Sequence, residues 1–208
     1  VAMDGFTGFK TAAAEELPAA TAVMDPFHVV RLAGEGLEKC RQRVQQDTLG
    51  HRGRRGDPLF QARQTLNTGD ALLTDRQRER LMVLFTPDEH AQVEATWGVY
   101  QRIITAYREP DPHEGKRLMQ AVIDSLREGI PTVLTETRKL GRTLNKRADD
   151  VLAYFDRPGT SNGPTEAING RLEHLRGSAL GFRNLTNYIA RCLLEAGGFR
   201  PRLHPALG

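Results

Sequence analysis

The first 32 residues, VAMDGFTGFKTAAAEELPAATAVMDPFHVVRL (residues 1–32), decide the fold class. VAMD is typical of the end of a buried strand. Residues 10–17 are rich in alanine and glutamate, which favours a helix that Pro18 ends. Residues 20–24 predict a second short strand. A strand, a helix and a strand in so short a stretch are typical of a parallel crossover, so the sequence predicts an α/β layer.

An acidic residue follows each predicted strand. Asp4 comes before Gly5, and Asp25 comes before Pro26. Because ligand sites in open α/β sheets gather at the carboxyl ends of the strands, both carboxylates are candidates for one site. Each also has a local explanation, since Asp–Gly is common in turns and Asp–Pro is typical of a helix N-cap. His28 is a further candidate ligand, although a histidine this early in a helix is more often packed.

Length and composition limit the possible classes of protein. The 208 residues, 39% hydrophobic and 26% charged, are typical of one large globular domain or a domain with an insertion. No apolar run approaches the roughly 18 to 20 residues that span a bilayer, and no signal-peptide pattern is visible, so we expect a cytoplasmic protein. Cys40 and Cys192 are far apart without metal-binding spacing, and we expect reduced core residues.

Most of the remaining chain predicts helices. Pro26 is well placed to begin a helix that runs into the low forties. Asp88 and Asp111 are each placed to begin another, and residues 75–152 are almost entirely helical in pattern. After turn-rich residues 154–163, two final helices are predicted.

The segment SNGPTEAINGRLEHLRGSALGFR (residues 161–183) places one acid, Glu166, at a helix start. Asn162 and Asn169 lie close to it in sequence, and these amides can hydrogen-bond a backbone or a phosphate. The local alternative is a capping glutamate, with Gly163 as N-cap and Pro164 at the first helical position.

Basic residues crowd two further segments, around residues 41–55 and 138–147, and the formal net charge is +3. Each cluster fits either a track for phosphates or an ordinary solvated helix face. The residues predicted to bind DNA, including three arginines after Glu166, are Arg52, Arg54, Arg55, Arg142, Lys146, Arg171, Arg176 and Arg183.

Residues 1–32 and the segment YFDRPGTSNGPTEAINGRLEHLRGSALGFRNLTNYIARCLL (residues 154–194) resemble the two conserved blocks of the ISL-three-type insertion-sequence transposases, a DDE family of bacterial mobile elements. The strand-ending Asp4, an LP followed by a strand and DPFHVV, an SNG followed by glutamate and asparagine, and GFRN occur in the expected order.

The resemblance implies an α/β fold that is mostly α by content: a partial ribonuclease-H-like core of few strands with a large helical insertion. It places the first part of the catalytic core at residues 1–48 and the helical insertion at residues 49–152. Residues 153–208 are expected to form the C-terminal core helices that carry the catalytic glutamate.

The resemblance also implies roles for single residues. Asp4 matches the second catalytic aspartate and Glu166 the third acid, so both are expected to be catalytic metal ligands. The residues expected around these ligands are Asp25, whose role in the motif is undefined, His28, Asn162 and Asn169. The first catalytic aspartate belongs to a strand upstream of residue 1, so the chain is expected to be the C-terminal portion of a transposase.

The implied reaction is metal-dependent cleavage and transfer of DNA strands, with insertion-sequence ends and target DNA as partners and Mg²⁺ or Mn²⁺ in a two-metal site. The intact enzyme is expected to be a homo-oligomer. Without the first aspartate, this chain is expected to be inactive alone. One alternative is a non-enzymatic DNA-binding or dimerising remnant that modulates intact transposase. Another is a plain helical protein in which the acids are only caps.

Overall fold

Two short strands pair in parallel at the start of the chain in the computed structural model, which describes residues 1–3, 7–127 and 129–196. β1 (Ala2–Met3) aligns with β2 (Val23–Met24), so that Met3 is opposite Met24. α1 (Thr7–Glu16) connects them. The predicted crossover is confirmed. β2 is shorter than the predicted strand because the amide of Ala20 is used in a turn, where it donates to the carbonyl of Leu17 at 2.9 Å.

Helices make up most of the rest of the described chain. Their bounds are α2 (Pro26–Leu49), α3 (Pro58–Gln61), α4 (Arg63–Leu66), α5 (Asp75–Phe85), α6 (Ala91–Arg108), α7 (Pro112–Ser125), α8 (Thr135–Lys146), α9 (Ala148–Asp156), α10 (Gly163–Ser178) and α11 (Leu185–Ala196). The predicted helical content is confirmed. The ribonuclease-H-like core stays a prediction, because the described residues form only two strands.

The starts of the helices follow local side-chain chemistry. Asp25 accepts a hydrogen bond from the amide of Phe27 at 2.8 Å, and Pro26 occupies the first turn of α2. Asp111 does the same for the amide of His113 at 3.0 Å, as predicted. Asp88 instead begins a 3₁₀ turn, and α6 starts three residues later.

The core lies between the long helices. α2 packs against α6 and α8, α6 against α7, and α7 against α9, which in turn contacts β2. Leu37, Ile103 and Leu144 are among the fully buried side chains. Gly115 of α7 allows close packing, because a Cβ there would lie 2.8 Å from the carbonyl oxygen of Ala106 on α6.

The chain divides into two compact units, residues 1–160 and residues 161–208. The elements from β1 to α9 make up the described part of the first unit. In the second, α10 packs against α11, and the rings of Phe182 and Tyr188 lie 5.1 Å apart between centroids. The predicted domain boundaries after residues 48 and 152 stay predictions.

Two tyrosines of α6 differ in how their hydroxyls are satisfied. The hydroxyl of Tyr100 donates to the backbone carbonyl of Asn67 at 2.9 Å. The hydroxyl of Tyr107 is buried and has no hydrogen-bond partner among the described residues. Its ring contacts Tyr154 and stacks on Phe155. Burial raises the pKa of Tyr107, and the nearby Tyr154 and Asp25 raise it further.

We expect the substitution Tyr107→Phe to leave the free energy of unfolding unchanged or to raise it by up to about 1 kcal/mol, because it removes a buried hydroxyl without a partner. Tyr100→Phe, on the same helix, should lower that free energy by about 1 kcal/mol, since it removes a formed hydrogen bond. Urea unfolding of both variants tests this. An equal loss of stability in the two variants would contradict it.

Candidate functional site

The carboxyl ends of β1 and β2 lie side by side, because Met3 and Met24 are register partners. Residue 4 follows β1 directly. Asp4 itself lies outside the described residues, so its role as a ligand stays a prediction. Asp25 follows β2, is 4% exposed, and its side chain accepts a hydrogen bond from the amide of Phe27, which confirms the N-cap interpretation. Its expected place around a metal ligand stays a prediction.

His28 lies on the first turn of α2 and is also buried. Arg31 donates from Nη2 to its Nε2 at 3.1 Å. A guanidinium has no acceptor, so Nε2 is the accepting nitrogen of this imidazole. The contact is typical of a packed histidine, and a role for His28 beside a metal ligand stays a prediction.

A buried carboxylate that sequence reasoning missed ties α1 to α9. Asp150 is 3% exposed, and both of its oxygens accept hydrogen bonds from Lys10 Nζ, at 3.0 and 2.8 Å. Arg147, which is also buried and is the N-cap residue of α9, donates to Asp150 as well. Because α1 begins three residues after Asp4 and α9 packs on β2, this network fixes the helix that follows the first strand. No local pattern could reveal a pair 140 residues apart.

Glu166 lies in the first turn of α10, in the second unit, and its side chain is exposed. The helix begins one residue earlier than predicted: Asn162 rather than Gly163 is the N-cap residue, because its carbonyl accepts from the amide of Glu166 at 3.0 Å. Asn169 is exposed one turn further along, so it and Glu166 share a face of the helix.

The comparisons with known proteins identify the family. A family model described as transposase, of the ISL3 type, matches residues 1–192. The chain belongs to the ISL3-type transposase family. No curated protein and no solved structure matches it.

Membership of this transposase family implies a DNA-binding protein. All eight predicted DNA-binding residues of this ISL3-type transposase are exposed: Arg52, Arg54, Arg55, Arg142, Lys146, Arg171, Arg176 and Arg183. Within the described part of the chain, only Arg176 of this set is in an ion pair, at 3.7 Å from Glu173. Their binding to DNA stays a prediction.

The basic residues between 41 and 55 are of two kinds, those paired within the fold and those exposed after α2. Arg41 is buried and donates to Glu38 at 2.8 Å. Arg43 pairs with Glu136 of α8 at 2.8 Å, and this hydrogen bond holds the pKa of the Glu136 carboxyl below its usual value. Both arginines are therefore engaged in the fold of this transposase, unlike those that follow α2.

Across residues 1–3, 7–127 and 129–196, no group of three histidine, cysteine, aspartate or glutamate side chains is placed to hold a metal ion. In the same ranges, no helix is long and apolar enough to cross a membrane. Cys40 is buried and unbridged as expected, whereas Cys192 is only half-buried.

We expect Asp150→Ala to lower the free energy of unfolding by about 3–5 kcal/mol, because it removes a buried carboxylate to which both Lys10 and Arg147 donate. Asp149→Ala is the matched control: Asp149 lies in the same first turn of α9 but is exposed, so its loss should cost less than about 1 kcal/mol. Denaturant unfolding of both variants measures the difference. Equal losses would show that the Lys10–Asp150–Arg147 network is not structurally important.

Proposed function

We propose that this transposase chain supplies two carboxylates, Asp4 and Glu166, to a divalent-cation centre that cleaves and transfers the DNA strands of a bacterial insertion sequence. The observation that carries the proposal is the family match over residues 1–192, since it includes both acids. The placement of residue 4 just after a parallel strand supports it, because ligands bind at that edge of α/β sheets.

The position of Glu166 supports its assignment as the third acid. Its side chain is exposed, so it can reach a ligand without unfolding the helix. Arg171, Arg176 and Arg183 follow it in the same unit and are exposed as well. Arginine forks suit phosphate oxygens, so these three side chains would position the DNA backbone relative to the acid.

The donor atoms fit Mg²⁺ or Mn²⁺, which prefer carboxylate, carbonyl and water oxygens. Asp4 and Glu166 would hold the cations, and the amides of Asn162 and Asn169 would lie around them. When bound, such ions lower the pKa of an attacking water or 3′ hydroxyl and neutralise the charge on the leaving oxygen. The carboxylates of the chain supply the negative charge that retains the metal ions. Its arginines supply the positive charge that orients the phosphate.

Asp25 and His28 would position neighbouring groups and would not bind the cations themselves. As the N-cap of α2, Asp25 fixes the direction in which that helix leaves the carboxyl end of β2. His28 is buried on the first turn of the same helix. We propose that both shape the surroundings of the ligands and that neither binds a cation directly.

A second candidate function is DNA binding or dimerisation without chemistry, which would modulate intact transposase. The exposure of all eight predicted DNA-binding residues favours it. Retention of DNA in the absence of divalent cations is common to both candidates. Strand cleavage, by an assembly that holds the complete set of acids, belongs to the first alone.

We infer that residues 1–208 alone neither cut nor join DNA, because the resemblance assigns only two of the three acids to them. Incubated with supercoiled plasmid DNA and Mg²⁺ or Mn²⁺, the chain should leave the plasmid supercoiled. Nicking that Glu166→Ala abolishes and Glu173→Ala retains would contradict this incompleteness. Glu173 is a suitable control because it is an exposed glutamate of the same helix.

A further inference from the structure

A compact loop after α2 carries three arginines on its surface. Residues 50–57, here called the arginine loop, join α2 to α3 and contain Arg52, Arg54 and Arg55. All three side chains are exposed, and none is in an ion pair with another described residue. The guanidinium groups of all three are therefore available to a ligand in solvent.

Asp57 closes the arginine loop. Its Oδ2 accepts from the amide of Arg54 at 2.5 Å and from Nε2 of Gln45 at 3.1 Å. Its own amide donates to the carbonyl of Arg54 at 3.0 Å. The carbonyl of Arg55 accepts from Nε2 of Gln61 at 3.0 Å. The backbone beneath the exposed arginines is thus held at several points by neighbouring side chains.

The underside of the arginine loop rests on buried groups. Gly53 has a φ of +122°, and a Cβ there would lie 2.8 Å from the ring of Phe60 and 3.1 Å from Nη1 of Arg41. Arg41 lies near the same ring, donates to Gln45, and is held by Glu38, whose pKa this hydrogen bond lowers. A buried arginine is therefore used to support a loop that displays three others.

We propose that the arginine loop is a preformed clamp for the phosphate backbone of duplex DNA. The inference rests on the proposed function only in taking DNA as the partner. Guanidinium groups bind phosphate oxygens in forked pairs, and a backbone that is already ordered loses less entropy when it binds. Contacts to phosphate oxygens carry no sequence information, so the clamp holds DNA without regard to sequence.

The decisive variant is Asp57→Ala, measured by fluorescence anisotropy with a short labelled duplex of arbitrary sequence in EDTA. The substitution makes the protein more positive, so an unstructured basic patch would bind DNA more tightly. A preformed clamp loses its closing contact, and we expect the dissociation constant to rise roughly fivefold. Asp47→Ala is the matched control, because Asp47 is exposed near the end of α2 and its loss changes the charge equally.

A second pair of variants leaves the charge unchanged. Gly53→Ala collides with Phe60 and should weaken binding, whereas Gly56→Ala meets no atom within 4 Å and should not. This pair decides the matter if circular dichroism shows that Asp57→Ala does not fold.

A third set of variants removes the positive charge of the arginine side chains. Arg54→Gln with Arg55→Gln should reduce the slope of log affinity against log salt concentration by about two. Arg76→Gln with Arg80→Gln removes two exposed arginines of α5 that are likewise outside any ion pair among the described residues, and it should leave the slope nearly unchanged.

Two results would overturn the clamp. One is an affinity in Asp57→Ala and Gly53→Ala that equals or exceeds that of the unchanged chain. The other is an equal effect of the two arginine pairs. Because the assay contains no divalent cation, these results would leave the proposed metal-dependent chemistry standing. A complete lack of duplex binding by the unchanged chain would count against DNA as the partner in both proposals.

Discussion

The parallel pairing of β1 with β2 is the constraint from which the candidate site follows. With Met3 opposite Met24, both strands end at the same edge, which is where ligands bind in α/β sheets. Asp25 caps the N-terminus of α2, and α2 is long enough to pack against both α6 and α8. α1 must return from one strand to the other, and the buried carboxylate of Asp150 holds it through Lys10. The edge is therefore defined by backbone hydrogen bonds and stabilised by one buried ionic network.

Charged residues are used in two different ways in this transposase. Inside the first unit, Arg41, Arg43 and Arg147 each meet a carboxylate and support packing. On the surface, the arginines of the arginine loop and the basic side chains of α8 pair with no carboxylate among the described residues. Buried charges need partners because desolvation is costly, whereas exposed arginines are available for a polyanion. The net charge of +3 hides this division, since Glu38, Glu136 and Asp150 neutralise arginines and a lysine that the fold itself uses.

The parts of the fold that depend on neighbouring residues were predictable from the sequence. Asp–Pro at residues 25–26 and the acid at residue 111 do begin helices, and the strand–helix–strand order does give a parallel pair. Contacts between distant segments were not predictable. Nothing near Lys10 indicates Asp150, and the same basic segment supplies the buried Arg41 and the exposed Arg52, because one faces the core from a helix and the other follows it in a loop. For the site, the start of the helix that carries Glu166 was predicted to within one residue, while a shared role for Glu166 and Asp4 depends on the family resemblance.

That shared role is the central claim, and a double-mutant cycle on Mn²⁺ binding tests it most directly. Isothermal titration of the chain with Mn²⁺ should show weak binding that Asp4→Asn and Glu166→Gln each reduce. If both carboxylates hold the same cations, the double variant should lose little more than the weaker single variant, because interacting residues are not additive. Glu173→Gln should bind as the unchanged chain does. Additive losses at residues 4 and 166, or an equal loss in Glu173→Gln, would contradict the account.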